Sequence, residues 1–112
     1  MKNICLTLRE ASLLTLLIFV SACSPSPGKQ SKSYTIEIKQ MKFVPDEIVL
    51  QKGDTVVFVN HDLLTHDITE LSAKTWTSSP LPPNSSWSMI IEKTSDYYCS
   101  IHPVMKGKLI VQ

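Results

Sequence analysis

Near its carboxyl end the chain reads Cys99-Ser100-Ile101-His102-Pro103-Val104-Met105. This stretch places a thiol, an imidazole and a thioether close together, just before a final strand-like segment. Thiolate and thioether sulfur atoms favour copper over magnesium or calcium, and one cysteine with two histidines and a weak axial methionine is the donor set of blue-copper sites. The stretch therefore predicts a metal site, with one histidine still to be supplied from elsewhere.

The missing histidine is expected from the segment after the strand-like residues 55–59. His66 follows that segment by a short turn and lies far along the chain from Cys99. A metal held by residues so far apart joins the ends of two different strands. His61 is a rival ligand or a copper entry point, but a solvated turn histidine is the simpler interpretation.

Alternating or β-branched segments run along the rest of the chain, and turn residues separate them. They lie at residues 34–39, 47–50, 55–59, 87–92, 96–99 and 108–111. Pro80, Pro82 and Pro83 make the middle of the chain a loop, with room for one short helical turn at residues 71–76. Seven to eight short strands in about 80 residues predict an all-β Greek-key sandwich or barrel.

The charge pattern does not indicate a highly charged partner. The chain has 112 residues, with 11 basic and 10 acidic side chains and a formal net charge of +1. These charges are spread along the sequence, and no basic cluster would bind phosphates, so we expect no nucleic-acid partner. The length allows one small domain.

The first residues are typical of a secretory signal. Lys2 and Arg9 precede an apolar run at residues 13–20, which ends at the small residues Ser21 and Ala22. The run is shorter than the roughly 20 residues needed to span a bilayer. We therefore interpret it as an export signal rather than a permanent transmembrane helix.

Val20-Ser21-Ala22-Cys23 resembles the bacterial lipobox. The resemblance implies that Cys23 receives a lipid and becomes the mature amino terminus. The predicted organisation is a signal peptide at residues 1–22, a flexible tether rich in Pro, Gly and Ser at residues 23–33, and a folded domain at residues 34–112. The domain would be anchored to a membrane on the exported side, either in the periplasm or at the cell surface.

The three cysteines, Cys5, Cys23 and Cys99, fall in different kinds of segment, which argues against a disulfide framework. With Cys5 removed and Cys23 lipidated, Cys99 is an unpaired thiol in an oxidising compartment, which favours a metal partner. Alone, Cys99 could be a buried structural thiol and Met105 a core residue. Their spacing around His102 favours ligation.

The domain resembles the plastocyanin-like cupredoxins, and amicyanin in its short ligand-loop spacing. The matching stretches are Phe43-Val44-Pro45, Ile48-Val49-Leu50, Gly53-Asp54-Thr55-Val56-Val57-Phe58-Val59-Asn60 with His66, Tyr98-Cys99, His102-Pro103 and Met105-Lys106-Gly107. The resemblance implies one copper ion bound by His66, Cys99 and His102, with Met105 as the axial ligand. It also implies that Asn60 hydrogen-bonds across to the ligand loop near Ser100.

The sequence departs from the family pattern at several positions. Asn84 stands where a glycine often follows proline, and Ser95 and Asp96 replace the usual glycine before the tyrosine. Asn84 is compatible with a left-handed turn. Asp67 follows the first ligand, where a negative charge would favour oxidised copper, but strand alternation predicts that its side chain points away from the site.

The resemblance implies a monomeric one-electron carrier and not an enzyme, with partners such as a cytochrome, dehydrogenase or oxidase. The alternative is a lipoprotein for copper capture, delivery or buffering, for which His61 is weak support. The same donors also suit zinc, which would be redox-silent. The sequence has 3 histidines, too few for a second copper centre with an open coordination position.

Apolar loop residues could form a docking rim around the copper, although they are equally well interpreted as ordinary loop residues. They are Leu63, Leu64, Leu81, Pro82, Pro83, Pro103 and Val104. The aromatic residues Trp76, Trp87, Tyr97 and Tyr98 are expected in the core or at its edge, without a redox role. Met41 and Met89 are expected in the core.

Overall fold

A computed structural model describes residues 27–112 of the chain. The predicted signal peptide, Cys5 and the predicted lipidation site Cys23 lie outside the described residues. No helix in the described part has the length and apolar character needed to cross a bilayer.

Residues 27–112 form eight strands and no α-helix. The strands are β1 (Ser33–Lys39), β2 (Lys42–Val44), β3 (Glu47–Leu50), β4 (Thr55–Asn60), β5 (Thr69–Glu70), β6 (Ser86–Ile90), β7 (Ser95–Tyr98) and β8 (Lys106–Val111). The prediction of an all-β fold of seven to eight strands is confirmed.

The strands pair into two four-stranded sheets. One sheet has the order β2-β1-β4-β6, and the other has the order β3-β8-β7-β5. The β1–β4 and β3–β8 pairs are parallel, and the remaining pairs are antiparallel. Parallel neighbours need long connections, so the chain crosses between the sheets as a sandwich requires.

Alternation along the strands places the core between the sheets. Val56 and Phe58 of β4 point inward together with Asn60, the last residue of that strand. In β7 the inward residues are Ser95 and Tyr97, and the same alternation continues to Cys99 just beyond the strand. Asn60 at the end of β4 and Cys99 just after β7, in opposite sheets, are therefore both directed into the protein.

The core is aromatic at its centre. The Tyr97 ring meets Phe43 edge to face at 4.9 Å and Phe58 at 5.4 Å between ring centroids. Full burial of each such side chain contributes about 1.5–3 kcal/mol to folding. The loops at one end of the sandwich are connected to the strands that supply this core.

Three connections meet at that end. His66 and Leu81 exchange backbone hydrogen bonds of 3.2 and 2.7 Å, which join the connection after β4 to the proline-rich loop. The turn in that loop uses Asn84 with φ of 66°, and the Asn84 N–H donates to the Asn60 carbonyl at 2.8 Å. Asn84 adopts the left-handed conformation that the sequence allowed for it.

Two short strands and one turn differ from the prediction. β2 and β5 have 3 and 2 residues, too few to show a period of two. The short helical turn considered at residues 71–76 is wrong, because the chain bends there around the Glu70 carboxylate. That carboxylate accepts hydrogen bonds from the N–H groups of Ser72, Ala73 and Thr75.

Candidate metal centre

The structure brings three predicted ligands together at the loop end. The Cys99 Sγ lies 3.8 Å from His66 Nδ1 and 3.9 Å from His102 Nδ1, and the two Nδ1 atoms are 3.1 Å apart. One donor atom from each residue lies within 4.8 Å of the others. Two imidazole nitrogens and a sulfur therefore face a single point, as ligands of one metal ion do.

Each ligand is held by a different feature of the fold. His66 is fully buried and is fixed by its backbone pairing with Leu81. Cys99 is fully buried because it continues the inward alternation of β7. His102 is half-buried and lies on the loop between β7 and β8. Of these three residues, His102 alone is partly exposed to solvent.

Asp62 sets the tautomer of His66. Its Oδ2 lies 2.9 Å from His66 Nε2 and also accepts the Met41 N–H at 3.1 Å. Since a carboxylate is an acceptor, His66 carries its proton on Nε2 and keeps a free lone pair on Nδ1, the atom that faces Cys99. The hydrogen bond from His66, together with the Met41 N–H, holds the pKa of Asp62 below its ordinary value.

Comparison with known families agrees with this geometry. Residues 11–111 match the model of the family described as "Cupredoxin-like domain". The chain belongs to this cupredoxin-like family. The predicted resemblance to cupredoxins is therefore confirmed.

Similar proteins include several amicyanins. The cupredoxin is 31% identical over 86 residues to amicyanin-alpha of Methylorubrum extorquens, covering 71% of this chain and 72% of that protein. It is 26% identical over 83 residues to amicyanin of Paracoccus denitrificans, covering 69% of this chain and 63% of that protein. The chain thus spans less than two thirds of the Paracoccus protein.

Solved structures show the same fold. A methionine-to-alanine mutant of amicyanin with Cu(I) has a TM-score of 0.67 at 23% identity, covering 71% of this chain and 82% of that one. A purple cupredoxin from Nitrosopumilus maritimus has a TM-score of 0.66 at 23% identity, and the match covers 70% of this chain and 99% of that one. At this identity the likeness concerns the fold.

The donor set of this cupredoxin fits copper. A buried thiol and two imidazole nitrogens converge within 4.8 Å, and soft sulfur with borderline nitrogen is the combination that copper prefers. The family and the donor chemistry together assign one copper ion as the cofactor.

Met105 is buried beside the cluster. The Cys99 N–H donates to the Met105 carbonyl at 3.1 Å, and the Met105 N–H donates to the His102 carbonyl at 3.0 Å. These two hydrogen bonds close the loop on itself and keep its first and last residues adjacent. The methionine side chain belongs to the same buried cluster as Cys99.

Asp67 does not point away from the site, so that expectation is wrong. Its side chain is 5% exposed, and Oδ1 accepts the Ser100 N–H at 2.7 Å while Oδ2 accepts the Ser100 hydroxyl. The alternation argument fails because His66 pairs with Leu81 and the strand β5 begins only at Thr69. Asp67 lies between these two pairings, outside a regular pleat.

Asn60 supports a different part of the site from the one expected. Its Nδ2 donates to the carbonyls of Leu64 and Leu81, both at 2.9 Å, and its Oδ1 accepts the Asp62 N–H at 2.9 Å. The expected hydrogen bond to the ligand loop near Ser100 is made by Asp67 instead. Asn60 therefore positions the His66 side of the site.

The sequence analysis did not identify Asp62 as the hydrogen-bond partner of His66. The available signal was a carboxylate four residues before a candidate ligand histidine.

His61 lies outside the cluster of donor atoms. Its side chain is 50% exposed, with Nε2 3.7 Å from Glu37 Oε1. This agrees with the interpretation of His61 as a solvated turn residue.

Apolar side chains are exposed on the segments that carry His66 and His102. Leu63 is 91% exposed and Val104 is 84% exposed, and Leu64 and Ile101 are also exposed. Leu81 does not belong to this rim, because it is 6% exposed and packs in the core. We name the four exposed residues Leu63, Leu64, Ile101 and Val104 the apolar rim.

The other aromatic residues lie in the core or at its edge, as expected. Tyr97 is buried in the core, whereas Trp76 and Trp87 stack at 6.1 Å and pack against it as partly buried residues. Met41 and Met89, expected in the core, are only partly buried and pack against it. Tyr98 is half-buried, with Lys74 Nζ 5.9 Å from its ring centroid.

Proposed function

We propose that this cupredoxin is a one-electron carrier in which His66, Cys99 and His102 would hold one copper ion, with Met105 as a further sulfur ligand. When bound, the copper would accept and return one electron by cycling between Cu(II) and Cu(I). The observation that carries the proposal is the convergence of one sulfur and two nitrogen donors within 4.8 Å.

The protein contributes rigidity to this reaction. Asp62 fixes the His66 ring at 2.9 Å, and the loop hydrogen bonds hold Cys99, His102 and Met105 in one arrangement. The donors already face one another in the folded chain. A site whose ligands barely move between oxidation states adds little reorganisation to each electron transfer, which favours a carrier.

The docking face of the carrier is the apolar rim. His102 is the one partly exposed residue of the three donors, and exposed Ile101 and Val104 lie beside it in the loop. Exposed Leu63 lies three residues before His66. Weak electron-transfer complexes bury less than about 1,200 Å², so a small apolar face is sufficient. The partners we propose are redox proteins such as a cytochrome, dehydrogenase or oxidase.

The proposal includes a lipid anchor on Cys23 and export beyond the cytoplasmic membrane. Its support is the lipobox-like sequence and the preceding apolar run. Residues 28–32 are exposed and precede β1 without belonging to a strand, which suits the end of a tether. The anchor would confine a monomeric carrier to a membrane surface while the domain searches for partners.

The deciding experiment is a visible absorption spectrum of the purified protein loaded with Cu(II). We expect an intense thiolate-to-copper band that is lost in Cys99→Ser, since the band requires the sulfur ligand. His61→Gln is the matched control, because it removes an imidazole outside the site, and it should keep the band.

A pale wild-type spectrum with weak copper retention would contradict electron transfer. That result would favour copper capture or delivery, or a redox-silent metal site. A band that persists in Cys99→Ser would contradict the ligand assignment.

A further inference from the structure

The two ends of the sandwich receive different parts of the chain. β1 and β4 run parallel and start together, with Ser33 opposite Thr55. β4 ends at Asn60, whose side chain supports the segment that carries His66. The six residues of β4, at about 3.3 Å each, separate the two ends by about 20 Å. We name the end at Ser33 and Thr55 the basal end, and the end with the donor residues the metal end.

The predicted tether enters the domain at the basal end. Residues 28–32 are exposed and lead directly into β1. The Lys32 N–H donates to Asp54 Oδ1 at 2.9 Å, and the Thr55 N–H donates to the Lys32 carbonyl at 2.8 Å. β1 starts ten residues after Cys23, so a fully extended tether spans at most about 36 Å. A lipid on Cys23 would therefore keep the basal end near a bilayer.

The fold gathers lysines at this end. Two turns, at residues 51–54 and 91–94, lie beside the tether. The Gly53 N–H donates to the Ile91 carbonyl, and the Ile91 N–H donates to the Asp54 carbonyl, both at 2.8 Å. The tether and the two turns supply four exposed lysines, Lys29, Lys32, Lys52 and Lys93. Because these residues are spread along the sequence, the cluster exists only in the folded protein.

The carboxylates of the same segments leave the cluster positive. Asp54 is 4% exposed, and its carboxylate accepts two backbone N–H groups at 2.9 Å. Glu92 is exposed and lies 3.9 Å from Lys52. Within residues 27–112, no carboxylate lies within ion-pair distance of the other three lysines. The basal end therefore presents cationic side chains to whatever it faces.

We propose that the basal end is a membrane-contact surface that binds anionic phospholipid headgroups and holds the metal end away from the bilayer. The inference deepens the proposed function and rests on it for the anchor and the redox partner. Lysines are attracted to anionic headgroups within about a Debye length, about 8 Å at physiological ionic strength. The tether brings the basal lysines within that range. A redox partner would then meet the apolar rim from the aqueous side.

The first test is the acetylation of lysines in the purified, metal-free protein bound to vesicles. One set of vesicles is phosphatidylcholine alone, and the other contains about 30% phosphatidylglycerol, which is anionic. Mass spectrometry gives the rate at each lysine. We expect the four basal lysines to react about threefold more slowly on the anionic vesicles. Lys39 and Lys42 lie at the metal end and should react equally on both.

Two double variants separate the basal charge from the tether. Lys52→Gln with Lys93→Gln removes two basal charges and should abolish most of the slowing at the two tether lysines. Lys39→Gln with Lys42→Gln makes the same change in net charge at the metal end and should keep the slowing. All four residues are exposed, so these substitutions should change folding stability little. Equal acetylation of the basal lysines on both kinds of vesicle, or slowing at the metal end instead, would overturn the proposal.

The contact surface has a test that needs neither the anchor nor copper. Protein without an acyl chain should co-sediment about fivefold more with the anionic vesicles than with phosphatidylcholine vesicles. This preference should disappear in about 1 M salt, where the Debye length is about 3 Å. Equal co-sedimentation with both vesicles would contradict the proposal. A missing lipid on Cys23 or a missing thiolate band would instead count against the proposed function, so the two failures are distinguishable.

Discussion

Tyr97 brings a polar atom into the centre of the core. Its ring is packed by Phe43 and Phe58, and its hydroxyl is the one buried side-chain polar atom among the described residues without a hydrogen-bond partner. Burial, with a smaller contribution from Asp46, raises the pKa of this hydroxyl. The ring end lies against Gly107 of β8, where a Cβ would overlap it.

Removal of that hydroxyl should stabilise the domain. An unpaired buried hydroxyl costs about 1–3 kcal/mol in lost hydration, so Tyr97→Phe is expected to raise the free energy of unfolding by about 1 kcal/mol. Urea denaturation of both proteins measures the difference. Tyr98→Phe, at the half-buried neighbour, is the control and should change stability by less than about 0.5 kcal/mol. A loss of stability in Tyr97→Phe would mean that the hydroxyl has a partner.

For single residues, the sequence predicts which side chains can bind a metal better than it predicts where a side chain points. Cys99 and His102 were identifiable because their side chains and spacing are those of a copper loop. The orientation of Asp67 was not predictable from alternation, because it lies between two irregular pairings. The family resemblance assigned the cross-loop hydrogen bond to Asn60, whereas Asp67 makes it.

Among the elements, β5 and the turn after it depend on one side chain. Glu70 accepts the N–H groups of Ser72 at 3.0 Å, Ala73 at 2.7 Å and Thr75 at 3.3 Å, and also the Ser72 hydroxyl. The Ser72 hydroxyl, followed by these N–H groups, lowers the pKa of Glu70 from 4.5 to about 2. A carboxylate thus organises a turn that lacks regular backbone pairing.

The stabilisation from Glu70 should depend on pH. Because its pKa is lower in the folded state, the contribution is full above pH 4.5 and is lost as the pH falls towards 2. We expect Glu70→Gln to be less stable than wild type at pH 7, with the difference shrinking between pH 4.5 and 2. Urea denaturation across this range measures it.

Glu92→Gln is the control for this prediction. Glu92 is an exposed carboxylate 3.9 Å from Lys52, and loss of such a pair should change stability little at pH 7. A difference between wild type and Glu70→Gln that stays constant from pH 7 to pH 2 would contradict the assigned role of the carboxylate.

The length of an element decided whether it could be predicted. The six longer strands carry enough alternating or β-branched residues to be recognised to within two residues at each end. β2 and β5 exist because neighbouring strands β1 and β7 offer open edges, a tertiary effect that 3 and 2 residues cannot encode.

For the whole molecule, the copper site joins the two sheets. His66 lies on the connection after β4 of one sheet, and Cys99 follows β7 of the other. A ligand that binds only the folded protein stabilises it by about 2.7 kcal/mol at a free concentration of 100 times Kd. Metal binding should therefore stabilise the domain as a unit.

We expect the melting temperature to rise on loading with Cu(II) or with Zn(II), and to fall back when a chelator removes the metal. Because Zn(II) does not change its oxidation state, a rise with Zn(II) reports metal binding alone. His66→Ala should lose most of the increase, whereas His61→Gln should retain it. Equal melting temperatures with and without metal would contradict a site that spans the sheets.

The uneven burial of the ligands bears on how long a metal ion stays bound rather than on how tightly it binds. Cys99, His66 and Met105 are buried, whereas His102 lies on a loop closed by two short-range hydrogen bonds. An ion can reach or leave the site past His102 when that loop opens, and local opening costs less free energy than global unfolding. We therefore expect the loop that carries His102 to limit the residence time of the metal. A substitution that loosens this loop should shorten the residence time without lowering the stability of the β-sandwich.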